Sequence, residues 1–386
     1  MTTRLSRVLA SAALVGVAFG STPALAAETP TEPLRAVVST TTTADVDVAR
    51  LSDPVENLAV VAPTRLAGAD RFGTAVEISK RAFTPASTRT VYLAGASSTD
   101  VALAGGALTD GPVLLVPTTG TVPASVRAEI ARLAPTQVMA LGGERSVSSA
   151  VLAQAAGGRS SARLGSDDVF ATATAIARRA FPNGPTRVYL ARVGGSPDAL
   201  VGGSLSDGPV LPVPATGAVP NVVRSYIGGA SPRQVVALGG PAAISDAVLS
   251  ASAVNGSTAR LAGADRYETS AAVAHAAFPG GSPVAYLASG ASYADAVVGG
   301  ALTDGPILLS PPMVHPQLTS TVGNALTRLG VSNVGTLGGP VALPDAAVRA
   351  VAANAPAVSI GVLPAYTPSG APTAPRRDPV PAPAPV

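Results

Sequence analysis

The sequence predicts an α/β fold built as three tandem Rossmann-like three-layer modules, and three observations carry that expectation. The stretch RLAGADRYETSAAVAHAAF at Arg260 recurs as RLAGADRFGTAVEISKRAF at Arg65 and, in altered form, as RLGSDDVFATATAIARRAF at Arg163. A second stretch follows each copy: VYLAGASSTDVALAGGALTDGPVLLVP at Val91, VYLARVGGSPDALVGGSLSDGPVLPVP at Val188 and AYLASGASYADAVVGGALTDGPILLSP at Ala285. A third closes each unit, VMALGGERSVSSAV at Val138, VVALGGPAAISDAV at Val235 and VGTLGGPVALPDAA at Val334. Tyr92, Tyr189 and Tyr286 stand 97 residues apart, as do Asp110, Asp207 and Asp304. Self-similarity at a fixed period marks one structural unit copied in tandem.

Taken in chain order, each unit opens on a short Arg-Leu run followed by a helical pattern. Tyr267, Ala271, Ala274 and Phe278 step by four, three and four, which places them on one helix face, and Phe72, Val76, Ser79 and Phe83 do the same. Asp70, Asp168 and Asp265 stand directly before these helices, where a carboxylate caps the first free amides. The runs VYLA, PVLLV and QVMAL are continuous and apolar, as expected of parallel strands covered on both faces. Asp-Gly-Pro at Asp110, Asp207 and Asp304 reads as a turn: Asp bonds back to the local backbone, Gly supplies unusual dihedrals and Pro bars helix continuation. A Leu-Gly-Gly containing Gly142, Gly239 and Gly338 ends the next strand, and bare amides near a helix start can receive phosphate or carboxylate oxygens. It lacks the full G-x-G-x-x-G spacing and the acidic residue for ribose, which argues against a dinucleotide site. Each unit is therefore expected to run βαβαβαβα.

These units occupy 63–161, 162–258 and 259–358, abutting without linkers. Before them, Arg4 and Arg7, the apolar run Val8 to Phe19 and Ala24-Leu25-Ala26 have the form of a signal peptide over 1–26, so the protein is expected to be secreted. Residues 27–62 show no clear period and stay unassigned. Residues 359–386 form a proline-rich C-terminal tail, extended from Thr367 onward.

With 47% hydrophobic and 13% charged residues, the chain can bury large cores. No later segment offers the roughly 20 apolar residues of a membrane span, so membrane insertion is not expected. The absence of cysteine excludes disulfides, thiol nucleophiles and cysteine-ligated zinc. Removing Arg4 and Arg7 lowers the formal charge from +3 to about +1, a balance that argues against nucleic acid as partner. The chain contains two histidines, His275 and His315, at non-equivalent positions and without zinc-site spacing. A non-catalytic protein without cofactor or metal is the expectation.

Arg65, Arg163 and Arg260 recur in the opening motif, while the second arginine, Arg71 and Arg266, is Val169 in the middle copy. Capping and strand-end roles account for these positions structurally; a functional role would be to grip an anion.

The triplicated RLAGADRYETS, YADAVVGGALTDGPILLS and VGTLGGPVALPDA resemble the cell wall binding repeat type 2 family, the attachment modules of Gram-positive surface-layer and other exported wall proteins. That resemblance covers nearly all of residues 63–358. It implies three modules packed around a pseudo-threefold axis, holding a protein on the wall non-covalently through an anionic, teichoic-acid-like glycopolymer. It also implies a role in polymer binding for Val113, Leu114, Leu115, Ile307, Leu308 and Leu309, although buried strands are the simpler account of those aliphatic side chains. The middle copy departs, with Val210-Leu211-Pro212. Three weak sites on a repetitive polymer gain from being joined, and the tail is a candidate contact for another surface protein. Because such repeats often accompany wall-degrading activity, the resemblance also implies the alternative, a peptidoglycan hydrolase of amidase type or an accessory to one.

Overall fold

The computed structural model describes residues 61–368 apart from Ser196, Tyr293 and Ala294. The expected signal peptide and most of the unassigned N-terminal segment and proline-rich tail lie outside the described residues.

The first repeat supplies β1 (Arg65–Leu66), α1 (Arg71–Ala82), β2 (Thr90–Gly95), α2 (Thr99–Gly105), β3 (Val113–Val116), α3 (Ala124–Leu133), β4 (Gln137–Leu141) and α4 (Ser149–Ala156). The second supplies β5 (Ser160–Leu164), α5 (Val169–Ala180), β6 (Arg187–Arg192), α6 (Pro197–Leu200), β7 (Val210–Val213), α7 (Asn221–Ala230), β8 (Gln234–Leu238) and α8 (Asp246–Ser252). The third supplies β9 (Ser257–Leu261), α9 (Arg266–Ala277), β10 (Val284–Ser289), β11 (Ile307–Ser310), α10 (Pro316–Arg328), β12 (Asn333–Leu337) and α11 (Asp345–Ala353), with a 3-10 turn at Gly299–Ala301 in place of the second helix.

The strands form three parallel four-stranded sheets, ordered β3-β2-β4-β5, β7-β6-β8-β9 and β11-β10-β12-β1. Sheets and repeats are thus offset by one strand. The strand that opens each repeat completes the sheet of the repeat before it, whereas the helix that follows packs on its own sheet, α1 on β3, α5 on β7 and α9 on β11. For the first repeat there is no earlier sheet among the described residues. β1 instead pairs with β12, Arg65 beside Thr336 and Leu66 beside Leu337, so the two ends of the described chain close the third sheet together. The start of the expected tail joins this closure: Ser359 bridges to Asn333, the Thr64 amide donates to the Ile360 carbonyl, and Tyr366 packs against the core. Below, a module means one sheet with its helices.

One apolar cluster runs through all three modules, and separate clusters fill the outer layers of the first and the third. At its centre Gly106, Gly203 and Gly300 meet. A Cβ built on Gly300 stands 3.0 Å from Cα of Gly106 and 3.2 Å from Cα of Gly203, an approach open only to a residue without a side chain. Equivalent residues of three repeats in mutual contact define the pseudo-threefold axis.

A polar triad is built on each Asp-Gly-Pro aspartate, and two of the three bind one module to the next. Tyr92, Tyr189 and Tyr286 are fully buried, and each hydroxyl donates to the Asp-Gly-Pro carboxylate of its own module: Asp110 at 2.7 Å, Asp207 at 2.7 Å and Asp304 at 2.8 Å. Burial first, then the adjoining carboxylate, pushes all three hydroxyls well above the ordinary tyrosine range. A guanidinium completes each triad. Arg179 reaches from the second module to Asp110 at 2.9 Å, and Arg81 from the first to Asp304 at 2.7 Å. The third module has Ala276 at the matching position, and Arg187 of the second module's own β6 pairs with Asp207 instead, at 2.8 Å. The Asp-Gly-Pro aspartate therefore does more than shape a turn. Its glycine does not take positive φ; it lies against the backbone, where a Cβ on Gly111 would meet the Thr90 carbonyl at 1.7 Å.

Candidate functional site

Because all strands of a sheet run the same way, the loops after them collect at one end, where open α/β folds place their ligands. Neighbouring modules meet there side by side, and crevices open at their junctions.

The crevice between the first and second modules has a volume of 360 Å³. It is lined by residues 97–101 after β2, the Gly-Gly turn after β4, the start of α5 and Gly194 and Gly195 after β6. Asp100 crosses the junction, accepting hydrogen bonds from the amides of Gly194 at 3.0 Å and Gly195 at 3.3 Å. Asp167 accepts from the Arg145 amide at 2.9 Å, and its carboxylate lies 3.7 Å from the exposed Arg145 guanidinium. The crevice between the third and first modules is smaller, 190 Å³, and Arg71 lines it with Thr99 and Ser292. The equivalent arginine of the third module, Arg266 at the start of α9, donates to the Gly290 carbonyl of its own module.

The arginines that open the repeats are placed differently. Arg65 donates to the carbonyls of Gly338 at 3.0 Å and Leu343 at 2.8 Å and pairs with Asp345. Arg163 donates to Gly142 at 2.8 Å and Gly143 at 2.9 Å and reaches Glu144. Arg260 donates to Gly239 at 2.7 Å and Ile244 at 2.8 Å and pairs with Asp246. All three clamp the Gly-Gly turn of the neighbouring strand in their sheet. That turn takes positive φ at Gly142, Gly239 and Gly338, 86°, 94° and 90°.

Asp70, Asp168 and Asp265 sit at helix N-caps; Asp70 accepts from the Gly73 amide, Asp168 from Phe170 and Ala171, and Asp265 from Tyr267 and Glu268. Val113, Leu114, Leu115, Ile307, Leu308 and Leu309 are buried in β3 and β11, which leaves them almost no surface to offer a polymer.

The sequence motifs do not single out Arg145, Asp167 or Asp100, although Asp100 stands one residue out of step with Asp198 and Asp295 of the other copies. That one-residue step is the signal. Asp198 and Asp295 lie against the Gly-Gly turns of their own modules, each with a carboxylate oxygen 2.4 Å from where a Cβ of Gly239 or Gly338 would stand, whereas Asp100 is turned across the junction.

Three α/β modules around one axis, each clamped by a recurring arginine and open at its junctions, define a triplicated binding scaffold. The profile of the Cell wall binding domain 2 (CWB2) family matches residues 65–152, 163–249 and 260–348, and the chain belongs to that family. Among solved structures it is similar to Cwp6 from Clostridium difficile, with a TM-score of 0.67 and 23% identity over 79% of this chain and 49% of that one. It is also similar to Cwp8 from Clostridium difficile, with a TM-score of 0.65 and 21% identity over 77% of this chain and 52% of that one. The chain thus spans about half the length of each, and the likeness is one of fold. No curated protein matches.

Proposed function

We propose that this chain attaches non-covalently to the bacterial cell wall through an anionic wall polymer, with the junction crevices engaging successive units together. The supporting observation is the position of Arg71 and Arg266. Both open a helix at the carboxyl end of a sheet; the Arg71 side chain lines the third–first crevice and makes no hydrogen bond to any described residue, while Arg266 holds the equivalent place at the start of α9 and donates to a carbonyl of its own module. Helix starts and exposed guanidinium groups favour anions. Arg163 holds the Gly-Gly turn that lines the first–second crevice, and Arg65 and Arg260 hold the equivalent turns. Each site alone is weak. Joining them raises affinity by roughly 10²-fold to 10⁴-fold where the polymer spans more than one.

The function so read is non-catalytic adhesion by a secreted protein, with the proline-rich tail as a contact for another surface protein. No comparison points to a hydrolase. The test is co-sedimentation with purified walls across a salt series, wild type against a variant carrying Arg71→Ala and Arg266→Ala. Binding should weaken with salt, because exposed charges are screened over about 8 Å at physiological ionic strength, and the variant should lose most of that dependence. A variant that binds like wild type at every salt concentration would remove these arginines from the site.

A further inference from the structure

The three junctions are not lined alike. Around the first–second crevice stand Arg145, Ser146, Ser166 and Asp167, drawn from two separate segments of sequence. At the second–third junction the matching residues are Ala242, Ala243, Gly263 and Ala264, and at the third–first junction Val341, Ala342, Gly68 and Ala69. Four positions that are small or apolar at two junctions are thus polar together at one.

These four positions add one guanidinium and one carboxylate, so the reversal of local charge comes from Asp100 and from Val169, which stands in the place of Arg71. Two carboxylates and one guanidinium line the first–second crevice, whereas Arg71 is the only charged residue among the described residues lining the third–first crevice. Asp100 is fixed by two main-chain amides and Asp167 by one, and each keeps lone pairs for a further donor. Ser146 accepts from the Gly95 amide at 3.4 Å and Ser166 from the Asp168 amide at 3.3 Å, which leaves each hydroxyl its own O–H to donate. An anion entering here meets two negative charges. A neutral polyol, which donates to carboxylates and accepts from hydroxyls and a guanidinium, meets partners of both kinds.

We propose that the first–second crevice binds an uncharged pyranose unit of the wall glycan, while the arginine-bearing junctions take its anionic groups. This rests on the reading of the junctions as the wall-facing sites. The volume of 360 Å³ falls within the roughly 300–1,000 Å³ of small-molecule sites. No aromatic side chain lines the crevice, so recognition resides in hydrogen bonds, and a single unit binds weakly.

The test is saturation-transfer NMR on the full chain with methyl hexopyranosides, N-acetylglucosamine and glycerol 3-phosphate. The variant is Arg145→Ala, Ser146→Ala, Ser166→Gly and Asp167→Ala together, which copies the lining that this same fold carries at its second–third junction. Pyranoside transfer should fall by at least roughly fivefold, as expected for one or two lost hydrogen bonds, with glycerol phosphate transfer retained. The two neutral sugars show whether a wall-polymer hexose or a peptidoglycan amino sugar is preferred. Asp167→Asn, a near-isosteric change, provides the reading if the fourfold variant does not fold. A wild-type chain that sediments with walls but gives no neutral-sugar transfer overturns this inference alone, as does transfer undiminished in the variants. A chain that does not sediment with walls overturns the reading beneath it.

Discussion

Arg65→Ala places its damage in the third sheet, although residue 65 opens the first repeat. The Arg65 side chain is 14% exposed and donates to the Gly338 and Leu343 carbonyls across the β1–β12 pair. Hydrogen bonds from a charged donor contribute about 1.5–3 kcal/mol each. Asp345 is one-third exposed, so its ion pair adds only about 0–1 kcal/mol. Water replaces part of what is lost at this sheet edge, and a net loss of about 3 kcal/mol is the reasonable expectation. Each 1.4 kcal/mol is tenfold, so opening of the third sheet should become roughly a hundred times more frequent. Native-state amide hydrogen exchange reads this directly, because the Thr336 and Gly338 amides donate to the Thr64 and Leu66 carbonyls. Exchange should accelerate at these amides and through β10 and β12, with β2 and β4 unchanged. Acceleration confined to α1 and β2 would refute the strand exchange.

At the axis, a Cβ on Gly203 stands 2.8 Å from Cα of Gly300, where backbone cannot swing aside; Gly203→Val should cost about 1–3 kcal/mol in urea unfolding, and an unchanged midpoint would mean the modules are not in contact there. Asp265 accepts from the Tyr267 and Glu268 amides, so Asp265→Ala should destabilise by about 1 kcal/mol without loss of wall co-sedimentation; lost attachment with an unchanged midpoint would make it a binding residue. Burial pushes the Asp304 carboxyl above its ordinary range, against the pull of Tyr286 and Arg81. A carboxyl whose folded pKa exceeds its unfolded value holds its proton more tightly when folded, so its contribution to stability falls as pH rises from about 4 through the raised pKa. Measured by urea midpoints, wild type should lose ground to Asp304→Asn over that interval; wild type gaining ground would reverse the assignment.

The three-module α/β architecture is legible in the sequence because triplication displays the same strand and helix patterns three times over. Capping aspartates are legible for a related reason, since Asp265 and the amides it meets lie within three residues. What stayed hidden is non-local. Arg65-Leu66 is too short to announce which sheet it joins, and its partner β12 lies some 270 residues away in sequence. The Asp-Gly-Pro motif has a complete local explanation, which conceals the tyrosine 18 residues upstream and the arginine arriving from the next module. Losses in one copy also look uncompensated on the linear chain. Ala276 drops the junction arginine, and Arg187 pairs with Asp207 from within the second module instead. Val169 drops the second arginine of the opening motif, and Arg145 stands across the same crevice.

The most direct measurement is co-sedimentation of the signal-processed chain with native cell walls and with the same walls stripped of their anionic polymers by acid. Attachment through such a polymer predicts binding to native walls that weakens as salt rises and is nearly abolished on stripped walls. Equal binding to both preparations would contradict it.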